Sequence, residues 1–200
     1  MKRGCLVGII IGAVIALFLL AIVLWGVKVY NGMVTMNESV TSQWGNVETV
    51  YQRRSDLIPN FVSTVKGAAN FEQQTLTQVI EARAKATSVT IDPKNLNEAS
   101  MAQFQQAQGQ ISSSLARLMV VVEQYPELKA TQNFRDLQVE LEQTENRISV
   151  ERRKYNEVAQ TYNTYIKRFP QNTLAGMFGF DAKPYFKSDE GAAKAPEVKF

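Results

Sequence analysis

Residues 134–169, FRDLQVELEQTENRISVERRKYNEVAQTYNTYIKRF, decide the fold class of this chain. Phe134, Leu137, Leu141, Thr144, Ile148, Glu151, Tyr155, Val158, Tyr162, Tyr165 and Phe169 recur in alternating steps of three and four. On an α-helix that spacing draws a single stripe along one face, as in a coiled coil. A half-buried strand would need a period of two, and no comparable stretch has one. The expectation is all-α.

Working outward from this stretch, the same spacing returns three times. Met101, Phe104, Gln108, Ile111, Leu115, Leu118, Val122 and Tyr125 form one stripe, and Tyr30, Met33, Asn37, Val40, Trp44, Val47 and Tyr51 another. A looser stripe starts at Leu57 and Ile58 and continues through Phe61, Val65, Ala68, Leu76, Val79 and Ile80. Pro126 separates the third stripe from the fourth, Pro170 ends the fourth, and Asp92-Pro93 lies in a polar connector. Asp56 before Leu57, Ile58 and Pro59 resembles an N-cap with proline in the first turn. The phase nevertheless carries on from Tyr51 to Ile58 and Phe61, so one kinked helix is the alternative to two. A turn at residues 53–56 is preferred, because a compact bundle favours helices of comparable length. Four stripes hidden against one another give an antiparallel, up-down-up-down four-helix bundle over residues 29–170.

The other extreme of the chain has no wet face. From Gly4 to Val27 there is no charged residue. At 1.5 Å per residue the run is roughly 36 Å long, enough for a hydrocarbon core of about 30 Å. A cleaved signal peptide competes with a membrane span, since Lys2 and Arg3 form a basic start. The run exceeds the length of a signal's apolar region, and no small-residue cleavage site precedes Lys28, so residues 1–28 read as an uncleaved transmembrane anchor. Lys2 and Arg3 before the span, against Lys28 after it, tip positive-inside counting toward a bundle outside the cytoplasm.

Beyond Pro170, residues 171–186 gather Leu174, Met177, Phe178, Phe180, Tyr185 and Phe186. Helix parity returns this aromatic segment to the membrane end. It either covers the open end of the bundle, the preferred reading, or enters the lipid interface, where aromatic rings are favoured. Residues 187–200, rich in Ala, Lys, Glu and Pro, read as a disordered tail.

The net charge of +3 leaves no basic field for nucleic acid. With one cysteine, Cys5, and no histidine, internal disulfides and imidazole or thiolate metal sites in the bundle are excluded. No phosphate loop or nucleophile elbow appears. No cofactor and no enzymatic activity are expected.

Three sets of residues are candidates for something beyond packing. Glu72, Gln108 and Glu151 fall near the middles of their helices and could form one polar layer. Inward carboxylates of this kind hold paired metals in some bundles, but those sites also use histidine. A layer that sets register, or lies at the edge of the core, is preferred. A buried carboxylate would need a partner, and Arg83, Arg147 and Arg152 are the candidates. Gly4, Gly8, Gly12 and Ala16 place a small residue at every fourth position of the span, which suits close helix packing in a membrane. Arg53, Arg54 and Asp56, with Tyr125 and Lys129, would form a charged and aromatic surface at the membrane-distal turns. Capping and solvated loops explain these five residues first, and a partner surface second.

Several motifs together resemble the LemA family. They are Arg53-Arg54-Ser55-Asp56-Leu57-Ile58-Pro59-Asn60-Phe61-Val62 with Val65-Lys66-Gly67, Tyr125-Pro126-Glu127-Leu128-Lys129-Ala130 with Asn133-Phe134, and Thr144-Glu145-Asn146-Arg147-Ile148. Arg152-Arg153-Lys154-Tyr155-Asn156, Phe169-Pro170 and Phe178-Gly179-Phe180 extend the resemblance over roughly Val29 to Phe186. It implies a bacterial membrane protein built on an antiparallel four-helix bundle, and it supplies no catalytic residues. Accounts of the family often place the bundle in the cytoplasm, opposite to the charge count. The expected function is a non-catalytic scaffold or interaction module at the bacterial cell membrane, with the lipid bilayer and other proteins or its own copies as partners. A ligand-sensing receptor bundle is the alternative.

Overall fold

A computed structural model describes residues 3–67 and 72–187. The regular elements of the described residues are all helices, with no strand: α1 (Arg3–Lys66), α2 (Gln73–Ser88), α3 (Glu98–Val122), α4 (Pro126–Lys129), α5 (Gln132–Lys167) and α6 (Gln171–Phe178), with a 3-10 turn at Pro93–Asn95. The disordered tail expected at residues 187–200 falls, apart from Lys187, outside the described residues.

Local chemistry accounts for several helix ends. Asn97 opens α3 with a reciprocal capping box, its side chain accepting from Ser100 N at 3.0 Å while Asn97 N donates to Ser100 Oγ at 3.1 Å. Pro126 occupies the first turn of α4, where its missing N–H costs nothing. Gly179, at φ 72°, ends α6 in the left-handed region and lets Phe180 N reach back to Ala175 O at 2.9 Å.

The expected turn at residues 53–56 is not there, and Asp56 caps nothing: α1 runs unbroken from Arg3 to Lys66 with Pro59 inside it. Proline in a helix interior removes the bond to the carbonyl four residues back, which here belongs to Ser55. Arg83 on α2 supplies the missing donor, its Nε lying 2.9 Å from Ser55 O. The orphaned carbonyl is satisfied from another helix, so the chain has no need to turn.

The chain divides into two compact units, Met1–Val40 with Gln160–Ala182, and Thr41–Ala159 with Lys183–Phe200. In the first, the apolar run of α1 is uncovered: Leu17 and Phe18 are each 66% exposed. This is the one described helix long and apolar enough to cross a membrane. Past it, Val29, Met33 and Val40 become buried, as do Tyr162 and Ile166 of α5 and Ala175 of α6. Gly32 lets α5 approach, since a Cβ there would stand 2.8 Å from Tyr165 Oη.

The second unit holds the larger core. Ile58, Phe61 and Val65 of α1, Leu76 and Val79 of α2, Ile111, Leu115 and Leu118 of α3, Leu128 of α4, and Phe134 and Leu141 of α5 form one buried cluster. At about 25 cal/mol per Å² of apolar surface, such burial is the dominant stabilising term. Trp44, Phe104, Tyr155 and Phe186 extend the core with edge-on and stacked rings 5.3–5.9 Å apart.

Candidate functional site

The polar feature that stands out in the second unit is Arg54, a cation only 2% exposed. A charge at such depth is costly unless its hydrogen bonds are met. Arg54 Nη1 donates to Ser112 Oγ at 2.9 Å and to Glu145 Oε1 at 3.0 Å. Its Nη2 donates to Gln108 O at 3.2 Å and to the Gln108 side-chain carbonyl. The guanidinium carbon also lies 5.0 Å from the centre of the Tyr51 ring. One cation thus ties α1 to α3 and α5. Arg54 Nε and the neighbouring Ser55 Oγ are buried without a hydrogen-bond partner.

Beside this cluster lies an open cleft of about 920 Å³, lined by Glu48, Gln52, Arg53, Ser55, Asp56, Thr87, Thr90, Phe104, Gln108 and Glu140 among others. Arg53 and Glu140 pair at 2.9 Å, and Gln52 Nε2 donates to Asp56 Oδ1 at 2.8 Å. Both partners in the Arg53 pair are well exposed, which limits its worth to about 0–1 kcal/mol.

The residues expected to form one distal surface are therefore dispersed. Arg54 is core, whereas Arg53 and Asp56 line the cleft just described. Tyr125 lines a different cleft, of about 970 Å³, with Ser63, Thr64, Gly67 and Leu128. Lys129 is exposed and pairs with Glu123, Nζ to Oε1 at 2.7 Å.

The expected polar layer separates in the same way. Glu72 precedes the first turn of α2 rather than lying mid-helix, and accepts from Thr75 Oγ1 at 3.2 Å. Gln108 is buried on Arg54. Glu151 accepts from Gln43 Nε2 at 2.7 Å and from Lys154 Nζ at 2.8 Å. The Lys154 ammonium, and after it the Gln43 amide, hold the Glu151 carboxyl below the usual glutamate range. Of the arginines expected near these carboxylates, Arg83 serves Ser55 O, and Arg152 donates to Lys187 O at 2.6 Å. Among the described residues no group of three His, Cys, Asp or Glu side chains could hold a metal ion. In the span, Gly8, Gly12 and Ala16 are exposed, with nothing within 4 Å of a Cβ built at either glycine. Gly4 precedes the residues whose side-chain surroundings are described.

A second constellation holds the chain beyond α6. Phe186 stacks on Trp44 at 5.9 Å and 9°, meets the edge of Tyr155 at 5.3 Å, and carries the Arg152 guanidinium 5.2 Å from its centre. Asn156 grips the same residue by its backbone, accepting from Phe186 N at 2.8 Å and donating to Phe186 O at 2.9 Å. Tyr155 Oη donates to Pro184 O at 3.1 Å. Burial, helped by Tyr185, pushes the Tyr155 phenol well above its ordinary value.

The family model described as "LemA family" matches residues 43–200. The chain belongs to the LemA family. Magnetosome protein MamQ 2 of Paramagnetospirillum magneticum is 28% identical over 175 residues, which cover 79% of this chain and 64% of that protein. MamQ of Magnetospirillum gryphiswaldense is 28% identical over 174 residues, 78% of this chain and 64% of that protein. Protein LemA of Metamycoplasma hominis is 27% identical over 144 residues, 72% and 62% respectively. The chain thus spans less than two thirds of the length of each of these relatives.

Both constellations lie within the LemA-matched residues, and sequence reasoning found only parts of them. In the sequence Arg54 is one basic residue of a motif, and its residue type does not distinguish it from exposed Arg53. Helical phase carried a faint signal: Arg54 follows Tyr51 by three residues and precedes Ile58 by four, so it lies on the buried stripe. The grip on Phe186 gave no such signal, because Asn156 and Phe186 are 30 residues apart.

Proposed function

We propose that this LemA-family chain is a non-catalytic module that holds a helical domain at a membrane, where it engages another protein or its own copies. The single observation that carries the reading lies along α1. One unbroken helix supplies both an uncovered apolar run and, from Val29 to Val65, a buried core face. The uncovered run fits a membrane span, and the buried face that follows along the same helix fits a packed helical domain.

Within the second unit, an antiparallel four-helix arrangement is supported by the order of its contacts. Phe61 with Phe134, Arg54 with Glu145 and Trp44 with Tyr155 have α5 numbers rising as α1 numbers fall. Trp44 with Phe104 and Arg54 with Ser112 have α3 rising together with α1. Charge counting around the span favours a domain outside the cytoplasm.

A second reading, ligand sensing, is favoured by the 920 Å³ cleft with the unpartnered Ser55 hydroxyl in its wall. One experiment separates the two. The full chain is purified from native membranes in mild detergent, and the same preparation is screened for thermal stabilisation by metabolites. A stoichiometric co-purifying protein or a defined homo-oligomer supports the module. A saturable metabolite shift that Ser55→Val abolishes, in an otherwise solitary chain, would replace it with the sensor.

A further inference from the structure

The first unit leaves a group of large apolar side chains in water that its own packing does not explain. Phe169 is 84% exposed, Met177 73% and Phe178 54%, all on α6 or the turn leading into it. An isolated exposed apolar residue means little, but a cluster rimmed by charge marks an interaction surface. Lys167 and Arg168, both exposed, immediately precede Phe169.

The position of this cluster identifies its occupant. Phe178 meets Tyr30 edge-on with ring centres 5.0 Å apart, and Phe180 meets the same ring at 5.6 Å. Tyr30 follows the apolar run of α1 by three residues, a rise of about 5 Å beyond Val27. Headgroup layers are roughly 5–8 Å thick on each side of the hydrocarbon core. Tyr30 and the rings on it therefore fall in the headgroup zone, where tyrosine, tryptophan and phenylalanine are favoured. Trp25, partly exposed near the end of the run, and Lys28 just past it complete an aromatic and basic belt of the same kind.

We infer that α6 and Phe169 form a second membrane contact: Met177, Phe178 and Phe169 enter the lipid interface while Lys167 and Arg168 face lipid phosphates. The inference rests on the reading of α1 as a membrane anchor. With it, the first unit meets the bilayer at two points, and rotation about the anchor axis is restrained. The segment thus divides its labour, with Ala175 packing inward and its exposed apolar side chains meeting lipid.

The test uses the full chain, with Cys5→Ser, in vesicles of phosphatidylcholine and phosphatidylglycerol. Single cysteines at Met177→Cys, Leu17→Cys and Val139→Cys carry an environment-sensitive fluorophore. Leu17 probes the span, and Val139 is an exposed apolar position on α5 in the second unit. The expected result is quenching at 177 by lipids brominated near the headgroup, with severalfold less iodide quenching than at 139. Iodide access at 177 equal to that at 139, with 17 still quenched by lipid, would overturn the inference and leave the anchor standing. Iodide access at 17 would overturn both.

Discussion

Arg54 costs the protein desolvation and returns connectivity, so its removal should be felt across three helices. Arg54→Ala leaves Gln108 and Ser112 short of a partner and opens a cavity, and the expected loss is about 3–5 kcal/mol. It would appear as a lower urea midpoint for the full chain in detergent micelles. Arg54→Met fills most of the volume and removes the charge, and should recover part of that loss. Glu145→Gln should cost at most about 1 kcal/mol, because its side chain is 40% exposed. Glu151 contributes to stability on the acid side. Its carboxyl is depressed in the folded chain, so its contribution is complete above the unfolded value near 4.5 and is lost as pH falls through the folded value. Glu151→Gln should flatten the decline in urea midpoint between about pH 6 and about pH 3. The buried phenols act at the other end. Burial, with Asp181, pushes Tyr162 up to about 12, so its contribution holds below the ordinary value near 10.0 and disappears as pH rises through the raised one.

At the scale of the element, the continuity of α1 depends on a donor from α2. The Arg83 Nε to Ser55 O bond, 28 residues apart in sequence, stands in for the bond that Pro59 cannot make. Arg83→Ala should therefore cost about 1–2 kcal/mol in the native background. With Pro59→Ala the restored N–H serves Ser55 O, and Arg83→Ala should cost about 1 kcal/mol less. A double-mutant cycle by chemical unfolding reads this coupling, and strictly additive losses would contradict the account. The same contact explains why local signals pointed to a turn. Asp56 and Pro59 are correctly spaced for a helix start, and the donor that overrides them is invisible to local spacing. The objection that a long helix would lack partners also fails. In the second unit α2, α3 and α5 cover the face from Trp44 to Val65, and in the first unit Val29, Met33 and Val40 are buried, with Gly32 against Tyr165 of α5.

For the whole molecule, the uncovered apolar run should govern where the protein resides. The full chain is expected in the membrane pellet after alkaline carbonate extraction, and a chain lacking residues 2–28 in the supernatant. Comparable pelleting of both, without aggregation, would remove the anchor. If chains associate through the small residues of the span, Gly8→Leu with Gly12→Leu should sharply reduce crosslinking between copies. Unchanged crosslinking would place self-association elsewhere. Protease digestion of intact and lysed cells reads the side of the membrane, and protection in intact cells would overturn the orientation favoured by charge counting.

What the sequence by itself determined were properties carried by neighbours along the chain. The helical class, the apolar run from Gly4 to Val27 and the ends of α3 and α5 near Pro126 and Pro170 follow from spacing and from the bonding limits of single residues. Tertiary structure alone decided that α1 passes through Pro59, that Arg54 is buried while Arg53 is not, and that residues 184–187 are held on α5. Each of these depends on a hydrogen-bonding partner brought close by folding, since a donor, carbonyl or carboxylate acquires its role only when packing fixes what lies within 3 Å of it.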